Sequence, residues 1–382
     1  MNERVLKEAG RAKLVLAALL IVGTMVAEAL AFGIALLLGL PDDSLWSEIV
    51  LELSGAVAAV LGVIALGGRR WASVSRDDVA FTFRFGWWCL ALSVGLMGLD
   101  LWDCLASAMP VSPEWPSRVI ELTLFTLSIG IYEEFLFRGL VFNGLLAVMG
   151  GTHRGVWRAV ILTSLLFGLA HVDFGTDFAE PAMVAQAILK VLQTGIYSVM
   201  LCVIVLRTRR LGGVSLYHGL DDLLILLPSV ALFAEPLDTE YVLAGEEGLS
   251  AIWFYLVIIV LYMPFLIKSV RELRRGQDVY RGVFMERLVA RLEREAQRPW
   301  DDGPSPWSPP APGVVADLAA SRAVETGSTP PAAPDARPGP APTAPAADFP
   351  AGWAEAPTQA PPVTGSQPRP DRSGRPPAPK GL

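Results

Sequence analysis

A chain of 382 residues with 52% hydrophobic and 18% charged side chains lacks the polar groups that coat a soluble globule, about 25% of whose residues are charged. Most of its 30 prolines fall after Trp300, where no long apolar run occurs, so the part before them is more apolar than the average. These proportions exclude a soluble enzyme, a disulfide-stapled secreted module and a nucleic-acid binder; the formal net charge of −7 acquires meaning only once the charges are placed along the chain.

In chain order, a leader with Arg4, Lys7, Arg11 and Lys13 runs into an apolar stretch, 14–40, too long for a signal-peptide core and without a clear small-residue cleavage site. A spanning helix needs about 20 mostly apolar residues. Stretches 49–67, 86–108, 119–149, 156–174, 182–206, 211–234 and 250–267 meet or approach that length. None shows the ten-residue alternation of a barrel strand, so an all-α polytopic membrane protein is expected. Lys and Arg collect in alternate connections: Arg69, Arg70, Arg76 and Arg84; Arg154 and Arg158; Arg207, Arg209 and Arg210; then Lys268, Arg271, Arg274 and Arg275. Between them, 41–48 holds Asp42, Asp43 and Glu48, and 235–249 holds Glu235, Asp238, Glu240, Glu246 and Glu247, with Arg118 breaking the pattern. The positive-inside rule then predicts about eight transmembrane helices with both termini cytoplasmic, as in a multi-pass protein of a bacterial plasma membrane.

Cys89, Cys104 and Cys202 sit in or beside apolar runs, an odd and scattered set expected to be buried small hydrophobes. Beyond the eighth stretch, Val270, Leu273, Tyr280, Phe284, Leu288 and Leu292 recur at helical spacing and predict a basic amphipathic helix over 268–298. It suits an anionic lipid surface, a solvated extension or a partner equally. Residues 300–382 are Pro- and Ala-rich with few aliphatic residues, a composition that predicts disorder.

Charged and imidazole side chains inside apolar spans are costly and usually functional. The fourth span contains Glu133, Glu134 and Arg138; the fifth closes on Phe167 and His171; the seventh contains His218, Asp221 and Asp222. Glu134 and Arg138 are four apart and share a helix face, whereas Glu133 lies about 100° round the helix. His218 and Asp222, also four apart, present one polar face. His153, in a cytoplasmic connection, is expected to be solvated. One spacing conflicts with a shared site: by helical rise, His218 lies about 10 Å from the start of its span and His171 about 22 Å from the start of its own. A break at Gly212 and Gly213, or distortion of the helix by a water-filled cavity, would reconcile the two depths.

The ordered set E-E-x-x-x-R (Glu133, Glu134, Arg138), F-x-x-x-H (Phe167, His171) and H-x-x-x-D (His218, Asp222) resembles the CAAX protease and bacteriocin-processing family of intramembrane endopeptidases. The resemblance covers residues 119–234. It leaves 1–118 as leader and first three spans, 235–267 as an outer loop and eighth span, 268–299 as the basic helix and 300–382 as the tail. It implies hydrolysis of a peptide bond in a membrane-associated peptide or protein, with the bilayer as the other partner. On that resemblance Glu133 activates a water, His171 orients it or donates to the oxyanion or leaving amine, His218 and Asp222 position the carbonyl, and Arg138 with Glu134 holds the helix face. The family's third motif often has Asn where this chain has Asp222, which once ionised accepts and does not donate.

Two chemistries remain open on these residues. A glutamate mechanism needs no cofactor; a zinc mechanism would draw on Glu133 or Glu134, His171, His218 and Asp222 as ligands, although H-E-x-x-H is absent. Outside catalysis, the same cluster suits a non-catalytic membrane scaffold or bacteriocin-immunity protein. A proton-relaying transporter is less favoured, because no second copy of the motifs marks an internal repeat.

Overall fold

Long apolar runs satisfy their backbone in a bilayer only by coiling, and all regular structure among the described residues is helical. The computed structural model describes residues 3–41, 44–172, 180–237, 242–243, 245–276 and 279–297. The helices are α1 (Glu3–Leu37), α2 (Leu45–Ala65), α3 (Arg76–Ala106), α4 (Trp115–Glu133), α5 (Asn143–Met149), α6 (His153–Leu169), α7 (Pro181–Thr208), α8 (Gly212–Leu226), α9 (Gly245–Arg275) and α10 (Val283–Gln297). A π-helical segment, Glu134–Phe142, joins α4 to α5 without a break, and a second, Leu227–Leu232, extends α8. The Pro/Ala-rich tail, 300–382, lies outside the described residues.

Each predicted apolar stretch contains a helix, and among the described residues six helices are long and apolar enough to cross a membrane. The run from α4 to α5 carries Arg118, Glu121, Glu133, Glu134 and Arg138, which lowers its hydropathy, and α6 is only 17 residues long. Exposed Leu19, Val22, Val26 and Leu30 give α1 an apolar outer face, as a lipid-facing helix requires. Local signals set the starts: Ser75 and Asp78 form a capping box at α3, and the Thr152 hydroxyl accepts the Gly155 N–H at α6. Cys89, Cys104 and Cys202 are buried and free, as expected. The single helix predicted over 268–298 is in fact two, since α9 ends at Arg275 and α10 begins only after Gly282, which sits at φ +76°. The apolar face of α10 is covered by this chain: Met285 and Leu288 pack on Leu6 of α1 and Ala147 of α5.

The bundle has two chemically different ends. At one, the starts of α2 and α4 meet the end of the second π segment, with Ile49, Leu122, Phe125 and Val230 in one cluster and the Ser112 N–H donating to the Leu232 carbonyl. Gln186 near the start of α7 bonds both ways with the backbone of Leu243. The other end gathers the arginines. Arg207 pairs with Glu272 at 2.8 Å, Arg209 lies 3.7 Å over the Tyr280 ring and 3.5 Å from Glu286, and Arg281 pairs with Glu3. Burial, with Glu286 alongside, pushes the Tyr280 hydroxyl above the usual phenol range, so it stays a donor to Glu286 at 2.8 Å.

Antiparallel α4 and α8 approach almost backbone to backbone. A Cβ on Gly130 would lie 2.5 Å from the Ser215 carbonyl oxygen, and one on Gly219 would lie 2.7 Å from that of Thr126. Small residues permit this where no hydrophobic force draws helices together in lipid. The close approach brings the end of α4 against the first turns of α8.

Candidate active site

Glu133 and Glu134 sit where α4 passes into the π segment, and their successive positions send the two carboxylates to different neighbours. Glu134 is fully buried, with Oε1 2.9 Å from Arg138 Nη1 and 2.9 Å from His218 Nδ1. The predicted pair with Arg138 is therefore present, and the same oxygen also holds an imidazole. Arg138 lies 4.1 Å over the Phe167 ring. Phe167 packs edge-on to Phe137 and lies 4.7 Å from the His171 ring and 6.0 Å from that of His218. Its apolar bulk fixes three of the polar groups at once.

Glu133 faces the other way. Its Oε1 is 3.9 Å from His171 Nε2 and its Oε2 is 3.6 Å from His218 Nε2. Asp222 Oδ2 lies 3.7 Å from the same His218 nitrogen. The four side chains singled out on three separate spans thus converge. Tautomers follow from the partners. The Phe167 carbonyl, 2.8 Å from His171 Nδ1, can only accept, so that nitrogen carries the hydrogen. Glu134, paired with Arg138, accepts from His218 Nδ1 in the same way. Both Nε2 atoms therefore turn toward Glu133.

The expected break at Gly212 and Gly213 is not found, since α8 starts at Gly212 and runs on unbroken. Those glycines serve close packing instead, facing Val74 and Asp78. The Leu211 N–H donates to the Trp71 carbonyl, and Leu211 to Ser215 are all buried, whereas Arg154 at the start of α6 is exposed. Helix α8 begins inside the bundle and α6 at its surface, which removes the depth conflict. His153 is half-buried rather than solvated, because its Nε2 accepts the Trp157 indole N–H.

The cluster forms one wall of a cavity of about 410 Å³ enclosed by α2, α4, α6, α7, α8 and α9. Sequence reasoning missed several of its polar walls, Glu48 and Glu52 from α2 and Lys190 and Tyr197 from α7; Asp221, noted in its span but given no role, also lines it and accepts from the Ser93 hydroxyl at 2.5 Å. Glu52 and Lys190 carried a visible signal, being charges inside apolar runs. Tyr197 carried none, because an aromatic residue in a span is ordinary. The zinc alternative gains no support: among the described residues, no group of three or more His, Cys, Asp and Glu is placed to hold a metal ion.

All three motifs fall within a segment that a known family covers. The family described as type II CAAX prenyl endopeptidase, Rce1-like, has a model that matches residues 115–224. Residues 115–224 match the Rce1-like family. No curated protein and no solved structure matches the chain. The Rce1-like segment runs from the first residue of α4 almost to the end of α8, and so includes Glu133, Glu134, Arg138, Phe167, His171, His218 and Asp222. With the six apolar helices among the described residues, the match supports an integral membrane protein with a segment similar to the CAAX prenyl endopeptidases.

Proposed function

We propose that the chain is a CAAX-type intramembrane endopeptidase that hydrolyses a peptide bond of a membrane-associated protein or peptide. The carrying observation is the Glu133 carboxylate set between the Nε2 atoms of His171 and His218 on the wall of a cavity large enough for an extended peptide segment. A scaffold would need the ion pairs but not the cavity.

In this reading Glu133 takes a proton from a water lodged between it and the two imidazoles. The separations of 3.6 and 3.9 Å exceed direct hydrogen bonds and suit a bridging molecule. His171, with its hydrogen fixed on Nδ1, offers its Nε2 lone pair to orient that water. His218 has carboxylates on both ring nitrogens and is set to carry a second proton on Nε2, as donor to the developing oxyanion or the leaving amine. Asp222 holds that proton in place and is not itself the oxyanion donor. Eight spans with cytoplasmic termini in a bacterial plasma membrane complete the proposal, and the α4–α5 run and α6 supply the two spans beyond the six.

Glu133→Gln tests it. The substitution keeps size and packing but removes the base, so hydrolysis of a peptide cleaved by the purified wild type should fall by at least about 10²-fold, the lower range for a general base. Undiminished turnover by a folded Glu133→Gln protein would refute the mechanism.

A further inference from the structure

We propose that the cavity is loaded from the membrane face opposite the arginine-rich connections, and that it selects polypeptide segments bearing positive charge. Calling what enters a substrate rests on the protease reading; the direction of access does not.

Every wall of the cavity belongs to the acidic end or the middle of the bundle. Glu48 and Glu52 come from the first two turns of α2, Leu237 from the connection after the second π segment, and His171 from just beyond the end of α6. Among the described residues, none of the 67–75, 150–152, 209–211 or 276–282 connections lines it. The arginine end is closed instead. Trp71, Phe142, Leu211 and Phe284 are buried there, and α10 covers the junction of α1 with α5. Excess Lys and Arg mark cytoplasmic connections, so the closed end is cytoplasmic and the mouth is not.

Charge then narrows what enters. Glu48 and Glu52 stand four residues apart on one helix face toward the mouth, and Glu133, Asp221 and Asp222 lie deeper. Against these five carboxylates the lining sets Lys190 and, on the protease reading, the doubly protonated His218, so acidic groups remain in excess and stand nearest the mouth. Low-dielectric walls of one sign focus the field and raise the local concentration of the opposite sign. A segment with Lys, Arg or a free amino terminus is drawn in, and an acidic one is repelled.

Thiol labelling reads both claims without any cleavage assay. Leu237→Cys and Ile225→Cys are two independent sites on the cavity wall. Val111→Cys is an exposed reference at the acidic end and Val279→Cys one at the arginine end; the three native cysteines are buried. Intact cells are treated with membrane-impermeant methanethiosulfonates, one bearing trimethylammonium and one bearing sulfonate. The expected result is reaction at Leu237→Cys, Ile225→Cys and Val111→Cys in intact cells, and at Val279→Cys only after the membrane is opened. The cation-to-anion rate ratio in the cavity should exceed that at Val111→Cys by about tenfold, and Glu48→Gln with Glu52→Gln should bring the two ratios together. Cavity sites that react only after opening, or not at all, overturn the access side. Equal ratios at Leu237→Cys and Val111→Cys overturn the charge selection. Neither outcome touches the Glu133→Gln test, so the two readings fail separately.

Discussion

On the proposed mechanism the two adjacent glutamates carry separable tasks, and substitution should show it. Glu134→Gln leaves the fully buried Arg138 without its carboxylate; breaking a buried pair costs about 3–5 kcal/mol. It should therefore lower thermal stability in detergent together with activity, whereas Glu133→Gln should lower activity alone. A Glu134→Gln protein as stable as wild type yet inactive would show that this carboxylate acts in the chemistry instead. Phe167→Ala should cost about 3–5 kcal/mol, as large buried aromatics do, and should loosen both histidines. This division was legible from sequence, because a 100° step separates neighbours on any helix. The contacts of Ser93 with Asp221, and of Glu134 with His218, were not legible, since they arise only when α3 and α4 close on α8.

Among the helices, the approach of α4 to α8 sets the site. Gly219→Ala would place a methyl against the Thr126 and Leu127 backbone and push the helices apart; overpacking costs about 1–3 kcal/mol. Because His218 and Glu134 face each other across that seam, activity should fall further than stability. Gly95→Ala on α3 is the control, as a Cβ there meets nothing within 4 Å, and both readings should stay near wild type. Thermal melting and turnover of the same preparations check the pair. Hydropathy predicted each apolar run as a helix but could not reveal the π segments, which differ from α only in bonding i to i+5. The break between α9 and α10 was signalled by Gly276 and Gly282 and masked by an apolar periodicity that continues across them.

For the molecule as a whole, the two halves of the C-terminal region should behave differently on truncation. Stopping after Asp301 removes residues of a composition that buries little apolar surface, and melting in detergent should not change. Stopping after Gly276 also removes α10, uncovers Leu6 and Ala147, and should destabilise the bundle. Docking of α10 should depend on pH in one direction. Tyr280, in the connection before it, donates to Glu286 of α10 and is raised above the unfolded phenol, so this contribution is complete below about pH 10 and is lost as pH rises beyond it. Proteolysis in the α9–α10 connection, followed against pH, measures that release. Charge alternation along the sequence already separated the two ends of the bundle, but not the end toward which the cavity lies, because that depends on where α8 starts. A reaction chamber that meets water on one face only has a single source of protons. If the proposed access and chemistry hold, hydrolysis would run at the acidity of the surroundings while the cytoplasm stays buffered, so turnover in living cells would report the habitat rather than the cell.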